Sequence, residues 1–142
     1  MMQFNLIARF LLCLCVFLGT NTYAEVAVIV SAKNSNTTID TDTLSRIFLG
    51  KTSNFPDGNQ AIPVDQTEGA VARESFNEKV LGKSSSQLKA YWSRLIFTGK
   101  GTPPKESGGD ADVKALVANN PNLIGYIDSS AVDSSVKVIY SF

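Results

Sequence analysis

Histidine is missing from this sequence, and cysteine is nearly so. The 142 residues include no His and only two Cys, and both of these, Cys13 and Cys15, lie near the N-terminus. Catalysis by Ser–His–Asp or Cys–His groups is therefore excluded. From residue 25 onward, zinc sites built from imidazole or thiolate ligands are excluded too, as are disulfide bridges. This part of the chain must take its stability from a packed apolar core.

Neither positively nor negatively charged residues are in large excess. Lys and Arg total 13 and so do Asp and Glu, and without Arg9 residues 25–142 carry 12 basic and 13 acidic residues, a net charge of −1. A nucleic-acid-binding domain would normally show a basic stripe, so we predict no nucleic-acid partner. The sequence also has no residues that resemble an activated nucleophile or a paired general acid and base. We therefore predict a non-catalytic protein without a cofactor or metal.

The uncharged apolar run near the N-terminus is short. Arg9 is followed by FLLCLCVFLG and then by small and polar residues that end at Ala24. This order is typical of a secretory signal peptide, and the run is about half of the ~20 residues that a membrane-spanning helix needs. The sequence thus predicts a signal peptide over residues 1–24 and a periplasmic chain over residues 25–142, without stable membrane insertion after cleavage. An uncleaved membrane anchor is the alternative.

The tripeptide Gly50-Lys51-Thr52 matches the end of the phosphate-binding loop of nucleotide hydrolases. That loop needs a strand before it, a helix after it, and another glycine five residues before Gly50. Ser45 stands in that glycine's place, and the residues before Gly50 have the spacing of a helix. We therefore interpret Gly50 as the residue that ends a helix, and we predict that this stretch is not a nucleotide-binding loop.

Hydrophobic periodicity predicts an alternation of strands and helices. Val26–Val30 is a continuous run of β-forming apolar residues, which is typical of a strand buried on both faces. The order β-α-β-α-α-α-β-β predicts a three-layer α/β lobe with a mostly parallel sheet. The other predicted elements are a helix over Thr41–Leu49 capped by Asp40 or Thr41, a strand over Ala61–Val64, a helix over Thr67–Leu81 that stops at Gly82, a helix capped within Ser84–Ser86, a loop over Thr98–Gly109, a helix capped by Asp110, and strands over Leu123–Ile127 and Val136–Tyr140.

The third predicted helix carries an apolar stripe with two aromatic residues. Its members, Leu88, Tyr91, Trp92, Leu95 and Ile96, follow the i, i+3, i+4, i+7, i+8 spacing of one helix face. Aromatic residues that share such a stripe belong more often to the core than to a ligand site. We therefore predict that Tyr91 and Trp92 are core residues.

Four segments resemble, in this order, one lobe of the periplasmic phosphate-binding proteins of ABC transporters. They are VAVIVSAKNS, DTLSRIFLGKTSNFPDG, AIPVDQ and LIGYIDSSAV, and the resemblance runs from about Val26 to Val138. The segment YWSRLIFTGKGTPPK further resembles a branch of short, single-lobe relatives. The resemblance implies the fold of a periplasmic-binding-protein lobe and a role in phosphate transport. It also implies a small oxyanion such as phosphate as the ligand, and a transporter or another envelope protein as a partner.

The phosphate loop of that family follows the strand that corresponds to Ala61–Val64. The family's loop reads approximately Arg-x-Asp-Gly-Ser-Gly-Thr, whereas this chain has DQTEGAVARESF. The Ser-Gly-Thr hydroxyls are absent, Glu68 lies where an anion would bind, and Arg73 is the candidate to replace the family's arginine. The ligand-binding residues that the resemblance implies are Asp65, Gln66, Thr67, Gly69 and Arg73.

Two alternatives stay open at this junction. Thr67 can cap its helix while Glu68 interacts favourably with the helix dipole, and neither role needs a ligand. Arg73 can be a solvated helix residue. With these assignments, the domain would be an envelope protein-interaction module that retains the fold without binding a ligand.

Overall fold

The computed structural model describes residues 25–142, so the predicted signal peptide lies outside the described residues. The predicted order of strands and helices is confirmed, and one short strand is added within the predicted loop. The elements are β1 (Val26–Ser31), α1 (Thr41–Phe48), β2 (Ile62–Asp65), α2 (Val71–Phe76), a π-helical segment (Asn77–Leu81), α3 (Ser85–Phe97), β3 (Lys105–Glu106), α4 (Asp110–Asn119), β4 (Leu123–Asp128), a 3-10 turn (Ser129–Ala131) and β5 (Val136–Ser141).

β1 lies in the interior of the sheet, as its continuous apolar run predicts. Its six residues are almost completely buried, and it is paired with β4 on one side and with β5 on the other. The strand order is β3-β2-β4-β1-β5. β1 is antiparallel to both neighbours and the other pairs are parallel, so four of the five strands point the same way. The predicted α/β fold with a mostly parallel sheet is confirmed.

Alternate residues of the strands pack into two cores, one on each face of the sheet. On one face, Phe48 of α1 and Phe76 of α2 pack against Tyr126 of β4, whose ring stacks on Phe76 with the centroids 4.2 Å apart. On the other face, α4 contributes Val113 and Val117. Each face of the sheet is therefore covered by helices, which gives the three layers that the sequence predicted.

The predicted ends of two helical segments are confirmed. The side chain of Asp40 accepts a hydrogen bond from the Thr43 amide at 2.6 Å and so caps α1. Gly50 comes just after α1 and has a φ of 72°, and Gly82 ends the second helical segment with a φ of 63°. Both are left-handed conformations that favour glycine. Because Gly50 follows a helix, Gly50-Lys51-Thr52 has the wrong context for a nucleotide-binding loop.

The second helix begins later than predicted. It starts at Val71 with Ala70 as its N-cap, and no side chain caps it. Residues 67–70 form a turn in which the Ala70 amide donates to the Thr67 carbonyl at 3.1 Å and Gly69 has a φ of 88°. The alternative that Thr67 caps this helix is wrong, because glycine at the third position of a turn stabilises a conformation that a helix does not contain.

α3 packs only partly against the rest of the domain. It begins with a capping box between Ser84 and Gln87, within the region that the sequence indicated. Leu88 is the one buried residue of this helix, whereas Tyr91 and Trp92 are half-buried and belong to neither core. The prediction that they are core residues was wrong. Periodicity shows which side of a helix is apolar, but it does not show how closely that side approaches the sheet.

β3 is a two-residue strand at the edge of the sheet. Lys105 pairs with Val64, and Glu106 pairs with Asp65, the last residue of β2. Neither β3 residue is apolar, so no hydrophobic alternation could predict the strand. Its position matters because it brings the Glu106 carboxylate next to the junction that the sequence marked as a ligand site.

Candidate functional site

A buried polar cluster lies at the carboxyl end of β2. Asp65 accepts a short hydrogen bond from the Tyr126 hydroxyl and another from the Gln66 amide at 3.1 Å. The Gln66 side chain donates to the Tyr126 carbonyl at 2.9 Å and to Asp110 Oδ1 at 2.8 Å. The same Asp110 oxygen accepts from the Asp128 amide at 3.0 Å. These bonds join the ends of β2 and β4 to the start of α4, so the cluster is held in place by three elements.

Arg73 joins this cluster from α2. Its Nη1 donates to the Gln66 carbonyl at 2.9 Å and to Glu106 Oε1 at 2.5 Å, and its Nε lies 3.6 Å from Asp65 Oδ1. Only 18% of the side chain is exposed. The alternative that Arg73 is a solvated helix residue is therefore wrong. The guanidinium lies between two carboxylates, one at the end of β2 and one on β3.

The structure brings three of the five implied ligand residues into this cluster, namely Asp65, Gln66 and Arg73. Thr67 and Gly69 lie in the exposed turn that follows β2, and the Thr67 amide donates to the Gly108 carbonyl at 2.9 Å. Glu68, in the same turn, forms an ion pair with Lys89 of α3 at 2.7 Å. The turn therefore forms the rim of the site and connects it to α3.

Burial controls the ionisation of the two hydrogen-bonded groups at the centre of the cluster. Burial raises the pKa of Asp65, although the hydrogen bond from Tyr126 and the charge of Arg73 act in the opposite direction. Burial and the neighbouring Asp65 charge raise the pKa of the Tyr126 hydroxyl. Tyr126 therefore stays protonated and donates, while Asp65 takes up a proton more readily than an ordinary carboxyl group does.

A pocket of about 430 Å³ opens beside the cluster, below α3. Leu88 and Trp92 of α3 line one side, and Arg73 and Asn77 line another. Within residues 25–142, Arg73 Nε and Asn77 Nδ2 are the two buried side-chain atoms without a hydrogen-bond partner. Buried donors in native proteins usually have a partner in the protein, an ordered water or a ligand. Two residues that line the pocket thus carry a buried donor without an acceptor.

Sequence reasoning missed four residues of the site: Tyr126, Glu106, Asp110 and Asn77. Tyr126 and Glu106 reach Asp65 only through strand pairing, and Asp110, predicted as the cap of α4, is instead its first residue and accepts hydrogen bonds from the cluster. Asn77 follows Arg73 by four residues, which places the two side chains on neighbouring turns of one helix face. That spacing is a signal that could have identified it.

The fold and this geometry can be compared with known proteins. No protein-family model matches the chain. A Clostridium perfringens protein described as a phosphate ABC transporter substrate-binding protein, with bound phosphate, superposes with a TM-score of 0.66 and 25% identity over 82% of this chain and 45% of its own. An ABC-type phosphate transport receptor from Vibrio cholerae has a TM-score of 0.63 and 22% identity over 82% and 46% of the two chains. The structural neighbours are substrate-binding proteins of phosphate ABC transporters.

A more distant neighbour has the same fold. PstS from Borrelia burgdorferi superposes with a TM-score of 0.59 and 14% identity, over 82% of this chain and 47% of its own. The resemblance to phosphate-binding proteins that the sequence segments suggested is confirmed at the level of the fold. The chain spans less than half the length of these relatives. In residues 25–142, no helix has the length and apolar character that crossing a membrane would require.

Proposed function

We propose that residues 25–142 form a non-catalytic substrate-binding domain that binds phosphate or a similar small oxyanion in connection with phosphate transport. Arg73 is the main charge partner of the anion. One observation carries this proposal: the Arg73 guanidinium lies beside Asp65 at the carboxyl end of β2, in a fold shared with a phosphate-bound neighbour. Ligands of open α/β sheets commonly bind outside the carboxyl ends of the strands. The ligand residues in this proposal are Asp65, Gln66, Thr67, Gly69 and Arg73.

Glu106 forms a hydrogen bond with the guanidinium group of Arg73, where we expect an oxyanion to bind. Its carboxylate accepts from Nη1 at 2.5 Å, as a phosphate oxygen would. The Glu106 side chain is 51% exposed, so it can move into water when a ligand arrives. Asp65 stays beside the bound anion and favours a ligand that can donate a proton to it, such as hydrogen phosphate. Because two carboxylates compete with the ligand, we expect a Kd nearer millimolar than micromolar, about −4 rather than −8 kcal/mol.

Replacement of the competing carboxylate provides the sharpest test. Isothermal titration calorimetry of residues 25–142 with phosphate, against a chloride control of equal ionic strength, measures the affinity. The variant Glu106→Gln should bind phosphate roughly threefold to tenfold more tightly, because a neutral amide releases the guanidinium more readily than a carboxylate does. A damaged protein would not gain affinity, so this result cannot come from misfolding.

Glu78→Gln is the matched control, because Glu78 is exposed on the π-helical segment and is absent from the pocket lining. It makes the same change in net charge, and we expect it to leave the affinity for phosphate unchanged. The proposal is disproved if phosphate gives neither binding heat nor thermal stabilisation beyond the chloride control in both the unmodified chain and Glu106→Gln.

The proposed setting is the periplasm, reached through the signal peptide over residues 1–24. Intact-mass measurement of the exported protein should give a chain that begins at Glu25. A mass that retains Cys13 and Cys15 would contradict cleavage at this position and would favour the uncleaved anchor.

One observation favours the alternative function, an envelope protein-interaction module without a ligand. Phe97 at the end of α3 is 92% exposed, and Ile96 beside it is 54% exposed. Exposed apolar residues that lie together are more typical of contact surfaces than of a monomer's free surface. If calorimetry detects no oxyanion binding, we favour this alternative function.

A further inference from the structure

The pocket beside Arg73 is much larger than one inorganic phosphate ion needs. Its volume of about 430 Å³ falls in the range of about 300–1,000 Å³ that is typical of sites for small organic molecules. We propose that the ligand of this site is a phosphate monoester with an aromatic or other apolar group; the inference rests on the function proposed above. The phosphoryl group contacts Arg73, and the organic group lies in the pocket below α3.

The two buried donors without partners locate the polar end of this ligand. Asn77 is 2% exposed and its Nδ2 has no hydrogen-bond acceptor. Nε of Arg73, four residues earlier, also lacks a hydrogen bond, although the Asp65 carboxylate lies 3.6 Å from it. Both residues line the pocket. A monoester offers several acceptor oxygens on one phosphorus atom, so one group can satisfy both donors once the side chains adjust. A ligand without such an acceptor would leave both donors unsatisfied, which costs free energy.

Part of the pocket lining is suited to an apolar group. Leu81, Leu88 and Trp92 contribute to the lining, and Trp92 is only half-buried although it is the one Trp of the chain. α3 is fixed in this position by the Tyr91 hydroxyl, which donates to the Leu49 carbonyl at 2.7 Å. An aromatic or branched group placed between α3 and the sheet would cover this apolar surface and remove it from water.

A second cavity adjoins this pocket but lacks these features. It measures about 740 Å³ and shares five lining residues with the first pocket, namely Phe48, Trp92, Pro103, Pro104 and Glu106. Neither Arg73 nor Asn77 lines it, so within residues 25–142 both unsatisfied buried donors belong to the smaller pocket. The need for an acceptor therefore identifies the smaller pocket as the ligand site.

Calorimetry with phenyl phosphate, inorganic phosphate and phenol tests the proposal on residues 25–142, at about pH 5, where both phosphates keep a proton that they can donate to Asp65. We expect phenyl phosphate to bind about tenfold more tightly than inorganic phosphate, because it adds aromatic contacts to the same anion contacts. Phenol alone should not bind measurably. Trp92→Ala should remove the advantage of phenyl phosphate while leaving the affinity for inorganic phosphate within about twofold, and Trp92→Phe should retain most of it.

Two further variants separate the pocket from general effects of substitution. Phe97→Ala removes an aromatic ring from the same helix outside the pocket, and it should leave the affinities for both phosphates unchanged. Asn77→Leu should keep the fold, because it replaces an unsatisfied buried amide by an apolar group of similar size. It should weaken phenyl phosphate binding by about threefold to tenfold, since one donor to the ligand is lost.

Equal affinities for phenyl phosphate and inorganic phosphate would overturn this inference and leave the proposed anion-binding function intact. Binding of neither compound would overturn both. Binding of phenol as tight as that of phenyl phosphate would also overturn the inference, because the pocket would then act without its donors. Full retention of phenyl phosphate affinity in Asn77→Leu would contradict the proposed contact. It would indicate that the Asn77 amide donates to a buried water instead of to the ligand.

Discussion

Gly125 of β4 lies so close to Val113 of α4 that a methyl group at residue 125 would come within 2.7 Å of Val113 Cγ1. Val64 and Val117 would lie 3.1 Å and 3.3 Å from the same methyl group. The missing side chain thus lets α4 pack directly on the sheet, against the middle of β4 and beside Val64 of β2. This contact sets the distance between α4 and the strands whose ends form the polar cluster.

The first prediction follows from this contact. Gly125→Ala should lower the free energy of unfolding by roughly 1–3 kcal/mol, because the added methyl group overpacks a core in which three valines would have to shift. Gly101→Ala is the matched control, since its nearest atom would lie 3.7 Å away, an ordinary contact distance. We expect this control to stay within about 0.5 kcal/mol of the unmodified chain. Denaturant unfolding measures both values, and equal stability of the two variants would contradict the packing argument.

Gly50 gives the second prediction. It has a φ of 72°, and an added methyl group would lie 3.3 Å from Cη2 of Trp92. Gly99 has a similar φ of 68° but would meet no atom within 4 Å. Alanine at either position should cost roughly 1–2 kcal/mol for the left-handed backbone, and Gly50→Ala should cost more because the Trp92 ring must also move. Thermal unfolding of the two variants compares them, and a smaller loss for Gly50→Ala than for Gly99→Ala would refute this reasoning.

The third prediction concerns the hydroxyl that Tyr126 donates to Asp65. Tyr126→Phe should cost about 1–3 kcal/mol, because it leaves a largely buried carboxylate short of a donor. The matched control is Tyr140→Phe, which removes a hydroxyl that accepts from Thr41 at the surface and should cost less than about 0.5 kcal/mol. Chemical denaturation measures both, and similar losses would show that the buried bond has no special value.

Tyr126→Phe should also change how the free energy of unfolding depends on pH. The folded pKa of Asp65 is raised above its ordinary value of 3.8 by burial, so the folded chain holds this proton more tightly than the unfolded chain. Stability from this group is therefore lost as the pH rises through the window between 3.8 and the folded pKa. Tyr126→Phe removes a bond to the carboxylate, so it should raise the pKa further and widen this window. A carbon-detected NMR titration of Asp65 that shows a lower pKa in the variant would contradict the assignment.

Asp57 gives a pH prediction of opposite sign. Hydrogen bonds from the Ser35 hydroxyl and the Asn59 amide lower the pKa of Asp57 to about 2. Stability from this carboxylate is therefore complete above its ordinary pKa of 3.8 and is lost as the pH falls towards 2. Asp57→Asn should remove this part of the acid sensitivity, and Ser35→Ala should move the pKa of Asp57 back towards its ordinary value. Unfolding curves measured across this acid range check the first effect, and unchanged curves in Asp57→Asn would disprove it.

Features that depend on neighbours along the chain could be predicted from the sequence. The apolar run Val26–Val30 predicted an interior strand because a half-exposed strand would alternate with polar residues. Asp40 and Gly50 marked the two ends of α1 because caps and left-handed stops act within a few residues. The order of these local elements was sufficient to indicate a three-layer α/β fold. The resemblance to phosphate-binding proteins came from the residues of four segments in that order.

The sequence therefore determined the main helices and strands, the cap of α1 by Asp40 and the strand end at which we propose a ligand site, since all of these are local properties. Only the tertiary structure decided what surrounds that strand end. Pairing between strands distant in the chain brings Tyr126 and Glu106 next to Asp65. Asp65 and Glu106 then form ion pairs with Arg73, which is largely buried instead of solvated. The position of α3 likewise left Trp92 beside a pocket instead of inside the core. Burial and the charges that meet in a site arise from contacts between distant segments, and the spacing of residues along one segment does not encode them.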